Sequence, residues 1–510
     1  MSQERSASIV DFRGLDERAT LGKSLTSTTS LDNVFVRSGN VIGRRGIALW
    51  DSISAAATNV VIGLHDFWAP ASGTASLIRM QTLALEKWNS GTHAWDDITG
   101  TALTGTTTTR PSFANMSDEG FMVFTNEGHD RPRKYTGSGN SMVLGGTPPY
   151  AKWLCPYKGF LFLFNTSTDG TFGATADSIT AYFSDNPDGS WDPCANNIII
   201  YDETAGECLA AEVFGDDLIV FKADGIVQTR FTGGVTRFAR RKLDFAQGIL
   251  APMSMKKCGE FGVIFLATDR NLYITDGRSV KPLSLNVQVS LRETMTPALA
   301  PYVSACVDAT HETYHLLYQR NSSTYFDGRL SYNYRTGEFV RAAYTGYEFT
   351  RIHAFKRSNV VDAQIVAGDS AKKVYEQENG VDDAGTSVSR YYDLDWDQFG
   401  SAGNKWLTGA ELVFKRRRDC RVRLSVALDK SSKFQQARTY TLQGHNANET
   451  DCRVSYKLKQ PVTGSWFKIR IEFLHDSSSL DVELLEAQPI IIGLTAATAD
   501  TPHRSQPQAA

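Results

Sequence analysis

Three pairs of adjacent acids invite a search for chemistry: Asp96-Asp97, Asp216-Asp217 and Asp382-Asp383. A glycosidase needs two carboxylates roughly 5 to 9 Å apart, flanking the bond to be broken. Each pair sits in a turn-like setting near Gly, Thr or Ala, where neighbouring acids are ordinarily solvated. Nine histidines are present: His65, His93, His129, His311, His315, His353, His445, His475 and His503. His311 and His315 have the i, i+4 spacing that shares one face of a helix. Thr313 to Tyr318 reads as a strand, however, and there that spacing separates the rings by about 13 Å, too far for a shared metal. The seven cysteines, Cys155, Cys194, Cys208, Cys258, Cys306, Cys420 and Cys452, are odd in number and include no C-x-x-C pair. That argues for buried thiols and against a zinc or disulfide framework.

Other motifs point the same way. The stretch Ser184 to Trp191 approaches the S-x-D-x-G-x-T-W aspartate box of sugar-hydrolase propellers, but the gap from Gly189 to Trp191 is one residue short. It reads as a blade turn with a packing tryptophan. No G-x-S-x-G elbow and no P-loop occurs, and Gly159 and Gly262 read as turn glycines ahead of apolar strands. The densest basic cluster is Lys415-Arg416-Arg417-Arg418 with Arg421 and Arg423. It could meet an acidic partner or nucleic acid. Asp419 interrupts it and apolar Val422 and Leu424 resume a strand, which favours a solvated hairpin turn. The sequence therefore assigns no catalytic, cofactor-binding or metal-binding residue, and no enzymatic role.

The elements that would position any site are strands. A chain of 510 residues exceeds one ordinary core, so two or more domains are expected. Its 41% hydrophobic and 21% charged content is a globular profile, and a net charge of −3 with mixed signs gives no basis for tight duplex binding. No apolar run of about 18 residues occurs, and Met1 to Val10 is polar, so synthesis in the cytoplasm without membrane insertion is expected. Hairpins recur along the chain. Leu218 to Phe221 turns through Ala223-Asp224-Gly225 into Ile226 to Thr229. Val263 to Leu266 turns through Thr268-Asp269-Arg270 into Asn271 to Ile274, and Gln364 to Val366 turns through Gly368-Asp369-Ser370 into Lys373 to Tyr375. Asp and Gly supply the side-chain bonds and positive φ that such reversals need. Weaker copies start at Phe121, Phe160 and Tyr314, and Leu77 to Trp95 reads similarly.

An interval of roughly 40 to 57 residues matches one four-stranded propeller blade. The fold expected is all-β: a β-propeller of about six or seven blades over 51–386, then a C-terminal β-sandwich of about eight strands over 387–495. An extended segment, 1–50, precedes them, and a disordered tail, 496–510, follows. An irregular protein of two sandwiches is the competing architecture.

Three segments carry a family likeness. One is Phe12-Arg13-Gly14-Leu15, followed by Leu31-Asp32-Asn33-Val34-Phe35-Val36-Arg37-Ser38-Gly39 and Gly43-Arg44-Arg45-Gly46. The second is Ala181-Tyr182-Phe183-Ser184-Asp185-Asn186-Pro187 with Trp191. The third comprises Tyr392-Asp393-Leu394, Lys405-Trp406-Leu407 and Gly464-Ser465-Trp466-Phe467-Lys468-Ile469-Arg470-Ile471-Glu472. In this order they resemble the tail hub or nozzle proteins of short-tailed bacteriophages. The resemblance implies a structural virion protein of the viral tail, a homohexameric ring below the portal and adaptor. It implies a channel for DNA ejection without sequence-specific binding, and contact with tail fibres or spikes. The chain is shorter than the large nozzle proteins, which leaves little room for fibre-binding insertions. A carbohydrate-binding or carbohydrate-cleaving propeller that recognises the host surface is the alternative. It would need aromatic platforms beside carboxylates on one propeller face.

Overall fold

Runs that are apolar at every position suit strands covered on both faces. Leu218 to Phe221 and Val263 to Leu266 are such strands, wholly buried between neighbouring sheets. The computed structural model describes residues 4–5, 9–18, 26–50, 60–69, 73–116, 119–172, 178–184, 190–191, 197–233, 237–321, 324–357, 362–397, 404–416, 420–442, 450–474 and 482–493.

Seven antiparallel sheets of four strands form the propeller. The first strands of blades one to seven are Val61–Ala69, Pro111–Met116, Tyr150–Tyr157, Cys208–Phe214, Ile249–Cys258, Ala305–Asp308 and Phe349–Phe355. They pack in succession, and Phe349–Phe355 returns to Val61–Ala69, which closes the ring. The last strands of blades one to six are Ala94–Asp97, Met142–Val143, Ile198–Ile200, Phe238–Lys242, Val280–Pro282 and Glu338–Ala343. Blade seven takes its last strand from the start of the chain. Ile47–Leu49 pairs with Val374–Gln377, with Leu49 opposite Tyr375 and Ile47 opposite Gln377. A blade made from both ends of the propeller sequence locks the circle shut. Two of the three turn aspartates act as expected: Asp369 accepts backbone N–H bonds from Ala371 (2.8 Å) and Lys373 (2.7 Å), and Asp269 one from Asn271 (3.0 Å), whereas Asp224 accepts from Gly206 N (2.8 Å), outside its own turn.

The sandwich is likewise built from both ends. One sheet runs Val34–Arg37, Asn40–Gly43, Val482–Gly493, Lys405–Arg416, Thr450–Gly464, with Glu4–Arg5 also pairing with Val482–Gly493. The other runs Leu31–Asp32, Tyr391–Asp397, Phe467–Leu474, Cys420–Leu428, Gln435–Leu442. Leu394, Leu412, Phe414, Leu424, Ile469 and Ile471 fill the space between them, all fully buried.

This pairing corrects the linear division of the chain. Residues 1–50 are not a separate segment: Leu31 to Gly43 belong to the sandwich and Ile47 to Leu49 to the propeller. Strand pairing over more than 300 residues leaves no local trace in a sequence. Near the end of the sandwich one long strand, Val482–Gly493, runs through Pro489, which stands opposite Ala410. The expected tail 496–510, the turn at 185–189 and the basic residues 417–419 lie outside the described residues.

Candidate functional site

The residues that carried the family likeness near the N-terminus converge on one buried joint between the sandwich and blade six. Asn33 adopts a left-handed backbone (φ 55°), which asparagine tolerates better than most residues. Its N–H donates to Arg341 O (3.0 Å) and its side-chain amide to Ser389 O (2.7 Å). Its Oδ1 accepts from Arg44 Nε (3.0 Å) and Ala343 N (2.9 Å). Asp32 accepts from Arg320 (2.7 Å), Arg341 (2.9 Å) and the Tyr391 hydroxyl (2.9 Å). One short strand of the sandwich is thus held by two arginines of the propeller.

Arg44 lies at the centre, its side chain 1% exposed. It pairs through Nη2 with Asp383, whose side chain is 3% exposed, at 2.8 Å, and its guanidinium lies over the Tyr344 ring at 4.8 Å. Asp383 is the second acid of a pair first considered for hydrolysis. Here it is the counter-ion of a buried arginine. Arg390 donates to Arg44 O and to Val381 O (2.6 Å). Burial, and next the Arg44 charge, push its guanidinium down to about 10. Arg329 pairs with Glu378 and rests between the Phe35 and Tyr344 rings. The two backbones approach so closely that Gly46 tolerates no side chain: a Cβ there would stand 1.8 Å from Asp382 O. Gly14 meets Phe339 O at 2.1 Å in the same way.

A second polar cluster lies where the first strands of blades seven, one and two meet. His353 Nε2 bonds Asp66 Oδ1 (3.0 Å), Asn115 Nδ2 donates to Asp66 O (2.8 Å), and His65 Nε2 donates to Asn115 Oδ1 (3.2 Å). His65 also stacks on Phe113, with ring centroids 5.2 Å apart. Burial pushes the His65 imidazole down to about 4, so it is neutral near pH 7. Burial alone would raise the Asp66 carboxyl, but the His353 hydrogen bond and charge outweigh it and the net direction is down. The charge of Lys256 in blade five acts on both His65 and Glu212 of blade four, and all three stand on first strands of their blades. Burial raises the Glu212 carboxyl despite Lys256. The bonds from His353 to Asp66 and from Asn115 to Asp66 and His65 clasp blade seven to blade one and blade one to blade two.

A cleft of about 930 Å³ opens between blades six and seven, bordered by Tyr344, Tyr347, Tyr375, Asp327, Asp369 and Lys373. Its two aspartates are engaged in turns: Asp327 accepts from Arg320 N (2.7 Å), and Asp369 holds the two N–H groups described above.

The remaining candidates scatter. Asp96 accepts from Asn89 Nδ2 (2.9 Å) and Asp97 from Thr99 N (2.8 Å) on the outer edge of blade one. Asp216 pairs with Lys158 (2.8 Å) and Asp217 with Arg230 (2.7 Å) at a turn. His311 bonds Asp308 (2.7 Å) in a turn, whereas His315 is buried against Ser331 (2.8 Å) in the strand Thr313–Tyr318. Cys155, Cys208, Cys258 and Cys306 are buried free thiols, and Cys452 is half-buried. Among the described residues no group of three His, Cys, Asp or Glu is placed to hold a metal, and no helix is long and apolar enough to cross a membrane. Sequence reasoning missed the joint as a site, because Asp32, Arg44, Asp383 and Arg390 are far apart in the chain. It missed the second polar cluster because isolated histidines at strand positions carry no pattern.

No family model matches the chain, and no curated protein does. Similar solved structures include PorZ, a surface component of the type-IX secretion system of Porphyromonas gingivalis (TM-score 0.38, 10% identity, 66% of this chain and 38% of PorZ). A candidate gluconolactonase (0.35, 10%, 69% and 95%) and a candidate 6-phosphogluconolactonase from Bacteroides uniformis (0.37, 12%, 64% and 98%) are others. This chain spans little more than a third of PorZ, and likenesses this low carry no argument about its activity.

Proposed function

We propose that this chain is a structural subunit of a bacteriophage tail, a hub or nozzle ring hung below the portal and adaptor through which DNA leaves the particle. The observation that supports the reading is the buried joint. The N-terminal family-like segment, with Tyr391 just ahead of the third, is spent on fixing the sandwich to blade six through Asp32, Asn33, Arg44 and Asp383. Buried, multiply bonded polar residues at a joint between lobes favour one fixed relative orientation. A ring subunit that bears load needs that property. On this reading the portal or adaptor, other copies of the chain and any fibres meet outer surfaces, and passing DNA is not bound by sequence.

A second reading, a carbohydrate-binding or carbohydrate-cleaving propeller, is favoured by the polar cluster of His65, Asp66, Asn115 and His353 and by the tyrosine-lined cleft. Light scattering separates the two. A hexameric ring has about six times the 56.3 kDa chain mass, whereas a hydrolase can act as a monomer. Release of reducing sugar from host polysaccharide, abolished by Asp66→Asn, would favour the second reading and sink the first.

A further inference from the structure

We propose that the basic outer edge of blade four docks on the acidic outer edge of blade one in a second copy of this chain. The inference rests on the ring reading and names the contact that would build the ring.

The outermost strand of each blade has one edge without a sheet partner, and natural proteins usually blunt such edges. On blade four that strand is Phe238–Lys242, with Ala239, Arg240, Arg241 and Lys242 all exposed. Arg240 is occupied by Asp202 and Glu203, each at 3.2 Å. Arg237, Arg241 and Lys242 have no carboxylate partner among the described residues. Apolar groups lie beside them: Ile198 is 36%, Ile200 52% and Phe231 37% exposed. Ile198 and Ile200 are on the outer strand of blade three, and the next residue, buried Tyr201, ties it to blade four by bonding Thr229 (3.0 Å) and lying under Arg240 at 5.9 Å.

The complement is on blade one. Its outermost strand, Ala94–Asp97, is partly exposed along its length and ends in Trp95-Asp96-Asp97. Asp96 and Asp97 accept hydrogen bonds from Asn89 and Thr99; Lys87 stands opposite Asp96 in the sheet, but no cation comes within 4 Å of either carboxylate among the described residues. Adjacent residues of a strand point to opposite faces. An antiparallel register that sets Asp96 opposite Lys242 also sets Asp97 opposite Arg241, one ion pair on each face of a sheet continued between two chains. Opposite charges facing each other across strands are favourable, and like charges there are not. The two edges are different surfaces of one molecule, so the contact is head-to-tail and can close a ring. The exposed isoleucines beside the basic strand give the contact an apolar part that salt does not screen.

The test uses the full chain, sized by light scattering at low and physiological salt. Arg241→Glu with Lys242→Glu should weaken assembly about tenfold or more, because two attractive pairs become repulsive. Adding Asp96→Lys and Asp97→Lys to that variant should restore the ring. All four sites are surface positions, and unchanged circular dichroism checks the fold. Cysteines at positions 96 and 242 of the same chain should oxidise into a ladder of linked chains, which neither single cysteine gives. A wild-type ring untouched by the reversals overturns this contact and leaves the ring reading standing. A ring broken by Arg241→Glu with Lys242→Glu but not restored by the acidic reversals also overturns it, and assigns the basic edge to another anionic partner. A wild-type chain that stays monomeric at every salt concentration defeats the ring reading and this contact together.

Discussion

Asp383→Asn tests the joint most directly. The substitution keeps shape and volume and removes one charge. Arg44 and Asp383 are 1% and 3% exposed, so water cannot take the place of the lost carboxylate. Two further cations, Arg390 and Arg329, are buried close by; the anions left to them are Glu378, paired with Arg329, and Asp382, which acts on Arg390 by charge. Breaking one side of a buried ion pair costs about 3 to 5 kcal/mol, because the other charge is left uncompensated. The crowding of cations places this case toward the upper end. At 1.4 kcal/mol per factor of ten, the joint should open roughly two to three and a half powers of ten more often. Hydrogen exchange reads that opening locally, at the amides of Asn33, Arg44 and Ala384, which donate to Arg341 O, Asn33 O and Ile47 O. Those amides should lose protection by about that factor, while the central strands of blades three and four keep theirs. Replacing both partners by apolar residues, Arg44→Met with Asp383→Leu, should recover much of the loss, since a well-packed apolar pair can match a buried ion pair. Unchanged protection at these amides in Asp383→Asn would refute the view that this pair holds the lobes together.

Further outcomes are expected. His65 has a folded-state pKa of about 4, below its unfolded value near 6.5, so the unfolded chain binds more protons between those values. Stability is therefore full above about pH 6.5 and falls toward pH 4. Buried His315 is shifted in the same direction, so His65→Gln should flatten only part of that slope in melts at pH 7 and pH 5. Ile47, 1% exposed in the strand that closes blade seven, should cost about 2 to 4 kcal/mol when changed to Ala, read by urea unfolding. Gly46→Ala should be worse than Asp383→Asn, because its Cβ meets a carbonyl oxygen at 1.8 Å, and soluble yield on expression reads this at once. Duplex DNA should bind the purified protein weakly, with a shallow salt dependence, because the net charge of −3 offers few phosphate contacts to exchange for counterions.

The sequence by itself determined the class of fold and its repeating unit. Runs such as Val263 to Leu266, apolar at each position, too short for a helix and followed by an Asp-bearing turn, read as strands covered on both faces. That information is local, and it survives in the order of residues. It also marked Asp382-Asp383 and Gly43-Arg44-Arg45-Gly46 as unusual, without their use. Tertiary structure alone decided how the ends are spent. The strand Ile47–Leu49 closes blade seven, and Leu31 to Gly43 pair in the sandwich with strands that begin more than 340 residues later. Those short strands have the same composition wherever they pair, so register and partner follow from burial in the finished fold. The same holds for the charges. An acid pair in a loop is solvated by default, and Asp383 became a buried counter-ion only because chain closure brought Arg44 to it.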